Sequence, residues 1–576
     1  MPDHNWDMET DLLVAGAGPA GMTVALVAAL EGLDALVCEK ADQVGGTGAT
    51  SAGTLWIPGN SQNRKAGFED SAEDAAKYLD QLIGDDRSSE HRRVYLRDGP
   101  DVIDYLEEKT DVKFLPCGMH PDYRNNLAGA GLAGRAIIPE NFDGRLLGRD
   151  FDRVRPPIPE FMLMGGMMVG KADIVGLLGR YKSFGAFRHS VGIVLRYLTD
   201  RLRFRRGTRL VMGNALVARL FYCLKKRNVP VLFESPIDEF VRDGETVIGA
   251  VLSTPDGAKR VRARKGVVLA TGGFAHNPKY RDAFMPDPTP PYSMAPESNT
   301  GDGIALADSL GAGVDTSGQG AGLWSPVSVT RRADGSDGLY PHLAMDRAKP
   351  GLIAVNAAGR RFVNEAVSYH DFVEAMYRSH ETADTMPAWL ICEAGFVTKY
   401  GLGAIHPKTR DLSKHVADGY VSVADSLEEL AQKIGVDADG LRDTVTRQNG
   451  FAATGTDDDF GKGDLELNRF NGDPAHGPNP CLGPIEKAPF VAMAVWPAEI
   501  ACSVGISTDP DGRVLHADNR PIPGLYACGN DMGSLMSGSY PGPGTTLGPA
   551  VVFGWRVAMH AAGKLSAENG KAADIG

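Results

Sequence analysis

The chain has 576 residues, 43% of them apolar and 23% charged, the make-up of a large globular protein with room for two or more domains. Its net charge of −13 argues against nucleic acid as a general partner, and seven scattered cysteines without a C-x-x-C pair argue against a metal site. Seventy glycines gather at turns, not in a low-complexity tract, which suits a nucleotide-handling α/β scaffold.

The polar, acidic opening from Met1 to Thr10 does not read as a secretory signal. No apolar run reaches the about 18 residues that a membrane span requires. Phe161 to Gly170 (FMLMGGMMVG) is too short and reads as the methionine-rich wall of a core or an apolar pocket. A cytoplasmic protein with reduced thiols is expected.

The first motif with chemical meaning starts at Asp11. Leu12-Leu13-Val14-Ala15 reads as a buried strand, followed by Gly16-Ala17-Gly18-Pro19-Ala20-Gly21 and an apolar helix to about Leu30. A second strand, Ala35 to Cys38, ends at Glu39, 18 residues past Gly21. Strand, turn, helix and distal acid together make the dinucleotide fingerprint. Gly16 and Gly18 permit the tight turn and the approach of a pyrophosphate, and Gly21 lets the helix pack on the strand. Glu39 can accept hydrogen bonds from ribose hydroxyls.

A second small-residue loop, Gly45 to Gly53, contains Gly46, Thr47, Ser51 and Gly53. It resembles the loop that flavoproteins of the fumarate reductase and succinate dehydrogenase superfamily place beside FAD. Members that attach flavin covalently use a histidine in this region. Residues 45–59 contain none, so the resemblance implies non-covalent FAD.

Further along, residues 196–209 hold six arginines against one aspartate. A membrane-surface contact is one reading; a solvated helix paired with acidic patches elsewhere is the preferred one. Gly266 to Phe274, with Thr271 and Gly272, and Thr300-Gly301-Asp302-Gly303 then match segments that line the adenosine and flavin parts of the site in the superfamily. Leu525 to Asp531, with Gly529 and Asn530, is a strand and turn, the usual partner of the final glycine loop, to which Thr546 and Leu547 belong. The resemblance implies an α/β fold: a Rossmann-like FAD-binding domain from both chain ends, residues 1–325 and 495–576, with an inserted α+β substrate (catalytic) domain, residues 326–494.

Gly538-Ser539-Tyr540-Pro541-Gly542-Pro543-Gly544-Thr545-Thr546-Leu547-Gly548 precedes an apolar run from Pro549 to about Ala562 that reads as a helix. Such a loop exposes backbone N–H groups at a positive helix end, and a tyrosine four residues before such an N–H can share one oxygen with it. That would polarise a carbonyl; the plainer alternative is a turn with a core tyrosine.

Three segments narrow the resemblance to the 3-ketosteroid dehydrogenases of the Δ1 type: Pro121-Asp122-Tyr123, Asn364-Glu365-Ala366-Val367-Ser368-Tyr369, and Tyr540 to Gly544. It implies that Tyr540 O–H and Gly544 N–H bind the C3 carbonyl of a 3-ketosteroid. Tyr369, assisted by Tyr123, would remove the C2 proton, and flavin N5 would take the hydride from C1. An external acceptor such as a quinone would follow.

Alternatives stay open. A tyrosine is a weak base at neutral pH, so Tyr369 needs a lowered pKa or an unusually acidic C–H. Tyr123 also reads as a surface-loop aromatic and Tyr369 as a core residue, while Asp122 either orients Tyr123 or caps a turn. Related Δ4 enzymes place a serine two residues after the loop tyrosine, where this chain has Gly542. A fumarate or urocanate reductase is expected to show cationic groups around Tyr369, yet the sequence offers no arginine between Arg361 and Arg378.

Overall fold

The computed structural model describes residues 5–170, 173, 176–177, 179, 182–332, 334–343 and 345–565. Met1 to His4, part of the polar opening, lie outside the described residues.

At the centre run five parallel strands in the order Val231–Leu232, Ala35–Cys38, Met8–Ala15, Gly257–Leu269, Pro521–Ala527. Leu13 pairs with Leu36 on one side and Val267 on the other, so the Leu12–Ala15 run is apolar at every position, as a strand covered on both faces must be. The last strand comes from the far end of the chain and pairs Leu525 with Val267. The first half of Gly257–Leu269 instead turns antiparallel with Thr246–Thr254.

The helix Pro19–Leu30 starts with proline at its first position and is buried from Pro19 through Ala28. It is enclosed by Met212–Lys226 and Leu547–Ala561, which explains why its apolar residues run all round and not along a stripe.

A second, antiparallel sheet has the order Asp337–Pro341, Gly322–Arg331, Phe490–Cys502, Ala388–Glu393, Leu352–Val355. The expected divisions at 325/326 and 494/495 fall inside Gly322–Arg331 and Phe490–Cys502. These two strands pair with each other, Leu323 against Ala501 and Val327 against Trp496, and lead the chain into and out of the second sheet. The helix Tyr369–His380 packs on Gly322–Arg331. Its N-cap Ser368 accepts from Asp371 N at 3.0 Å and so sets Tyr369 on the first turn.

The methionine-rich run from Phe161 is a small hairpin, Met162–Leu163 against Met167–Met168, with Met167 and Met168 buried and Met164 exposed at the turn. Among the described residues no helix is long and apolar enough to cross a membrane.

Candidate active site

Tyr123, Tyr369 and Tyr540 come from a loop, a helix start and the C-terminal glycine loop, and the fold gathers them into one cluster with Leu323, Leu467 and Ala501. Tyr123 and Tyr540 stack at 5.6 Å with 16° between their planes. Tyr369 stands edge-on to both, 5.5 Å from Tyr123 and 5.2 Å from Tyr540. The Tyr123 hydroxyl donates to the Tyr369 oxygen at 3.1 Å. Edge-to-face and offset contacts of this kind contribute about 0.5–1.5 kcal/mol per pair beyond area burial.

All three phenols are pushed above the usual tyrosine range. Burial is the main cause in each; at Tyr369 the neighbouring Tyr123 and Tyr540 add to it. Of the two routes that sequence leaves open for Tyr369, the environment therefore does not supply a lowered pKa. The same upward shift keeps Tyr540 protonated, as a hydrogen-bond donor must be.

The C-terminal loop is held from several directions. Pro541 O accepts from Tyr123 N at 2.8 Å and from the Tyr78 hydroxyl at 2.7 Å, while Gly544 O accepts from Trp56 N at 3.2 Å. Gly544 has φ +95°, and a Cβ there would lie 2.3 Å from Thr54 O. A Cβ on Gly542 would lie 2.7 Å from the Trp56 ring and 2.9 Å from Asp122 Oδ1, so a serine here would force that ring aside. Among the described residues no acceptor meets the Gly544 N–H.

Asp122 neither orients Tyr123 nor simply caps a turn. Its buried carboxylate accepts from Trp56 Nε1 at 2.8 Å, Gly131 N at 2.8 Å and Arg135 at 2.6 Å. Burial raises its pKa to about 6 against the pull of Arg135. Arg135 also binds Asp70 and lies over the Trp56 and Tyr78 rings. Asp122 thus braces the wall on which Tyr123 and the glycine loop rest.

The expectation that no cation lies near Tyr369 is corrected. Arg124, next to Tyr123, forms a two-pronged pair with Asp371, two residues past Tyr369, at 2.7 and 3.0 Å. Buried Arg347 donates to Glu365 O at 2.7 Å and Val367 O at 3.3 Å. Sequence separation hid Arg124, which lies 247 positions from its partner. His370, also missed, packs on Tyr540 at 5.9 Å and accepts from Trp324 N at 3.2 Å; burial lowers its pKa to about 4, leaving it neutral.

The expected cofactor residues line the C-terminal edge of the parallel strands. Gly16 has φ +104°, and a Cβ there would lie 2.2 Å from Ala270 O; on Gly21 it would lie 2.0 Å from Gly16 O. By contrast, a Cβ on Gly18 or Gly46 meets nothing within 4 Å, so both turns face open space. Glu39 accepts from Ala17 N at 2.7 Å and Ala41 N at 2.8 Å, and each carboxylate oxygen keeps a free lone pair. Ser51 Oγ accepts from Gly53 N, and Gly53 sits against Gly213. Asn299 joins Gly272 O at 2.9 Å to Thr47 Oγ1 at 3.5 Å.

Asp302 pairs with Lys40 at 2.7 Å, and Thr271 donates through N and Oγ1 to Asp531, closing the turn Gly529-Asn530-Asp531. Thr546 stands at the start of the helix that Leu547 begins, without a side-chain cap bond, and the adjoining Thr545 is buried beside Tyr540. Open glycine turns at a helix N-terminus and an acid at the end of the second strand fit FAD.

The fold and this site define an FAD-dependent oxidoreductase. Residues 11–547 match the FAD binding domain family. The chain is 36% identical to the 4-oxocyclohex-2-ene-1-carboxylate 5-dehydrogenase of Sinomonas cyclohexanicum over 99% of this chain and 96% of that one. It is also 36% identical to the 3-oxosteroid 1-dehydrogenase of Mycolicibacterium smegmatis, covering 97% and 98% of the two chains. The crystal structure of 3-ketosteroid Δ1-dehydrogenase from Sterolibacterium denitrificans in complex with 1,4-androstadiene-3,17-dione superposes with a TM-score of 0.88 at 36% identity, over 96% of this chain and 99% of that one. The chain belongs to the 3-oxosteroid 1-dehydrogenase family of FAD-dependent enzymes.

Proposed function

We propose that the protein introduces the C1–C2 double bond into ring A of a 3-ketosteroid. The observation that supports this most is the meeting of Tyr123, Tyr369 and Tyr540 in one cluster, with the Gly544 N–H, four residues past Tyr540, meeting no acceptor among the described residues. Tyr540 O–H and Gly544 N–H donate to the C3 ketone oxygen and favour the enol-like charge distribution that develops as C2 loses its proton. Tyr369 takes that proton, and Tyr123 supports the phenolate oxygen through its hydroxyl. Because the Tyr369 pKa is raised, little phenolate is present at neutral pH, and carbonyl polarisation supplies the acidity needed at C2. Bound FAD supplies the acceptor for the hydride that leaves C1.

Residues 1–325 and 495–576 serve in this reading as the two parts of the cofactor domain and 326–494 as the substrate domain. The chain has one dinucleotide fingerprint, so the electrons pass to an external carrier such as a quinone. Its seven free cysteines fit a reducing, cytoplasmic setting.

Anaerobic mixing with androst-4-ene-3,17-dione tests the reading. The flavin absorbance is expected to bleach, and mass and NMR analysis to place the new bond at C1–C2. An unchanged spectrum across a panel of 3-ketosteroids overturns it. Arg124 favours a second reading, since a partly exposed guanidinium beside Tyr123 suits a small cyclic ketone bearing a carboxylate. Bleaching by 4-oxocyclohexanecarboxylate and not by steroids selects that reading.

A further inference from the structure

Tyr123 and Tyr369 ride on two elements that a second contact ties together. Arg124 follows Tyr123 in its loop, and Asp371 lies two residues past Tyr369 in the helix Tyr369–His380. Arg124 Nη2 donates to Asp371 Oδ1 at 2.7 Å, and Arg124 Nε donates to Asp371 Oδ2 at 3.0 Å. A fork of this kind fixes orientation as well as distance. It runs beside the 3.1 Å hydroxyl contact between the two tyrosines.

The backbone around Tyr123 is anchored elsewhere, on the C-terminal glycine loop. Tyr123 N donates to Pro541 O at 2.8 Å. The Tyr78 hydroxyl donates to the same carbonyl at 2.7 Å and accepts from Arg124 N at 3.2 Å. These bonds set Tyr123 against Tyr540, whereas the Arg124 fork sets it against Tyr369. On the helix side, Asp371 N is taken up by the Ser368 cap, and the Asp371 carboxylate stands in the first turn, at the positive helix end. The Arg124 side chain is 47% exposed and that of Asp371 14%. A pair with so much access to water adds little to stability. Its place, one residue from Tyr123 and two from Tyr369, gives it another use.

We propose that Arg124 and Asp371 are positioning residues that keep the Tyr123 hydroxyl within bonding reach of the Tyr369 oxygen while C2 loses its proton. The inference rests on the assignment of Tyr369 as the base. A misplacement of about 1 Å can cost about 10²-fold in rate, so slack in this joint slows proton removal without weakening substrate binding.

The test follows deuterium entering C2 of androst-4-ene-3,17-dione in D2O, read by NMR, with full-length enzyme whose FAD is reduced beforehand so that no hydride leaves C1. This steroid carries no carboxylate, so a lost substrate contact to Arg124 cannot imitate the effect. Arg124→Gln and Asp371→Asn should each slow the exchange, and lower kcat in a separate turnover assay, by about tenfold. KM should change by less than about twofold, the flavin spectrum should stay unaltered, and the melting temperature should stay within about 2 °C of the wild type. The double variant should lose no more than either single one, because the same contact is removed in all three. Arg124→Lys, which keeps the charge but not the fork, should fall between wild type and Arg124→Gln. Wild-type exchange in both single variants, or losses that multiply in the double, overturn the proposal. Tyr369→Phe shows where a failure lies. If it loses exchange while the pair variants keep it, the role of the pair alone is refuted; if it exchanges like the wild type, the base assignment falls and the proposal with it.

Discussion

The Tyr123 and Tyr369 hydroxyl oxygens lie 3.1 Å apart although 246 positions separate the two residues in the chain. Their contact joins a loop to the first turn of the helix Tyr369–His380, so the pair exists only in the folded chain.

That pairing sets the pH behaviour. Burial first, and then Tyr123 and Tyr540, raise the Tyr369 pKa, so Tyr369 is neutral at pH 7. Below its pKa the phenolate share grows with pH. The kcat/KM should therefore climb from neutral into alkaline pH, by up to about tenfold per unit. Tyr369→Phe should remove the slope and lower kcat by about 10³-fold or more, whereas Tyr123→Phe should keep the slope and cost about tenfold. A flat wild-type profile rules out Tyr369 as the base.

Tyr540→Phe separates polarisation from binding. The ring stacking on Tyr123 survives, while the hydroxyl proposed as donor to the ketone is removed together with its hydrogen bond to Tyr369. Flavin content and melting temperature should match the wild type while kcat falls about 10²–10³-fold, the usual loss for one oxyanion donor. Equal turnover in the two proteins, measured by dye reduction, removes Tyr540 from the mechanism.

How far the site was legible depended on the reach of each signal. The turn at Gly16 to Gly21 and the acid at Glu39 lie on consecutive elements, so spacing alone exposed them. Tyr540 stood out locally in its glycine loop, whereas Tyr123 and Tyr369 became visible through family resemblance, since nothing local links positions 123, 369 and 540. Asp122 lies in a quoted segment, but its partners Arg135 and Trp56 reach it across 13 and 66 residues, and no motif announces them. Arg124 was missed for the same reason. The arginines between 361 and 378 do not include a guanidinium delivered from a distant loop.

The two glycines of the fingerprint turn should fail in different ways. A side chain on Gly16 collides with Ala270 O, so Gly16→Ala should lower the melting temperature, with a strain cost of about 1–3 kcal/mol. Gly18 faces open space, so Gly18→Val should fold normally yet lose FAD, because its branches fill the position of the pyrophosphate. Circular dichroism and the flavin-to-protein absorbance ratio read the two effects apart. A Gly18→Val protein that keeps its flavin places the cofactor elsewhere.

Glu365 gives the fold an acid-sensitive joint within the segment that leads to Tyr369. Its buried carboxylate binds Arg361 at 2.8 and 2.9 Å, Lys462 at 3.2 Å and Ala354 N at 3.0 Å, and Asp457 holds Arg361 from the other side. Burial alone would raise its pKa, but Arg361 and Lys462 outweigh it and hold the group at about 2, below its ordinary 4.5. A carboxyl depressed in the folded state stabilises the fold above its unfolded pKa, and that contribution drains away as pH falls from about 4.5 towards 2. The wild-type melting temperature should therefore drop steeply between pH 5 and pH 3. Glu365→Gln should cost about 3–5 kcal/mol at pH 7, since it leaves two buried cations short of a counter-charge, and it should show a shallower acid slope. Calorimetric melting curves that fall in parallel for the two proteins across that range would assign the acid sensitivity to other carboxylates.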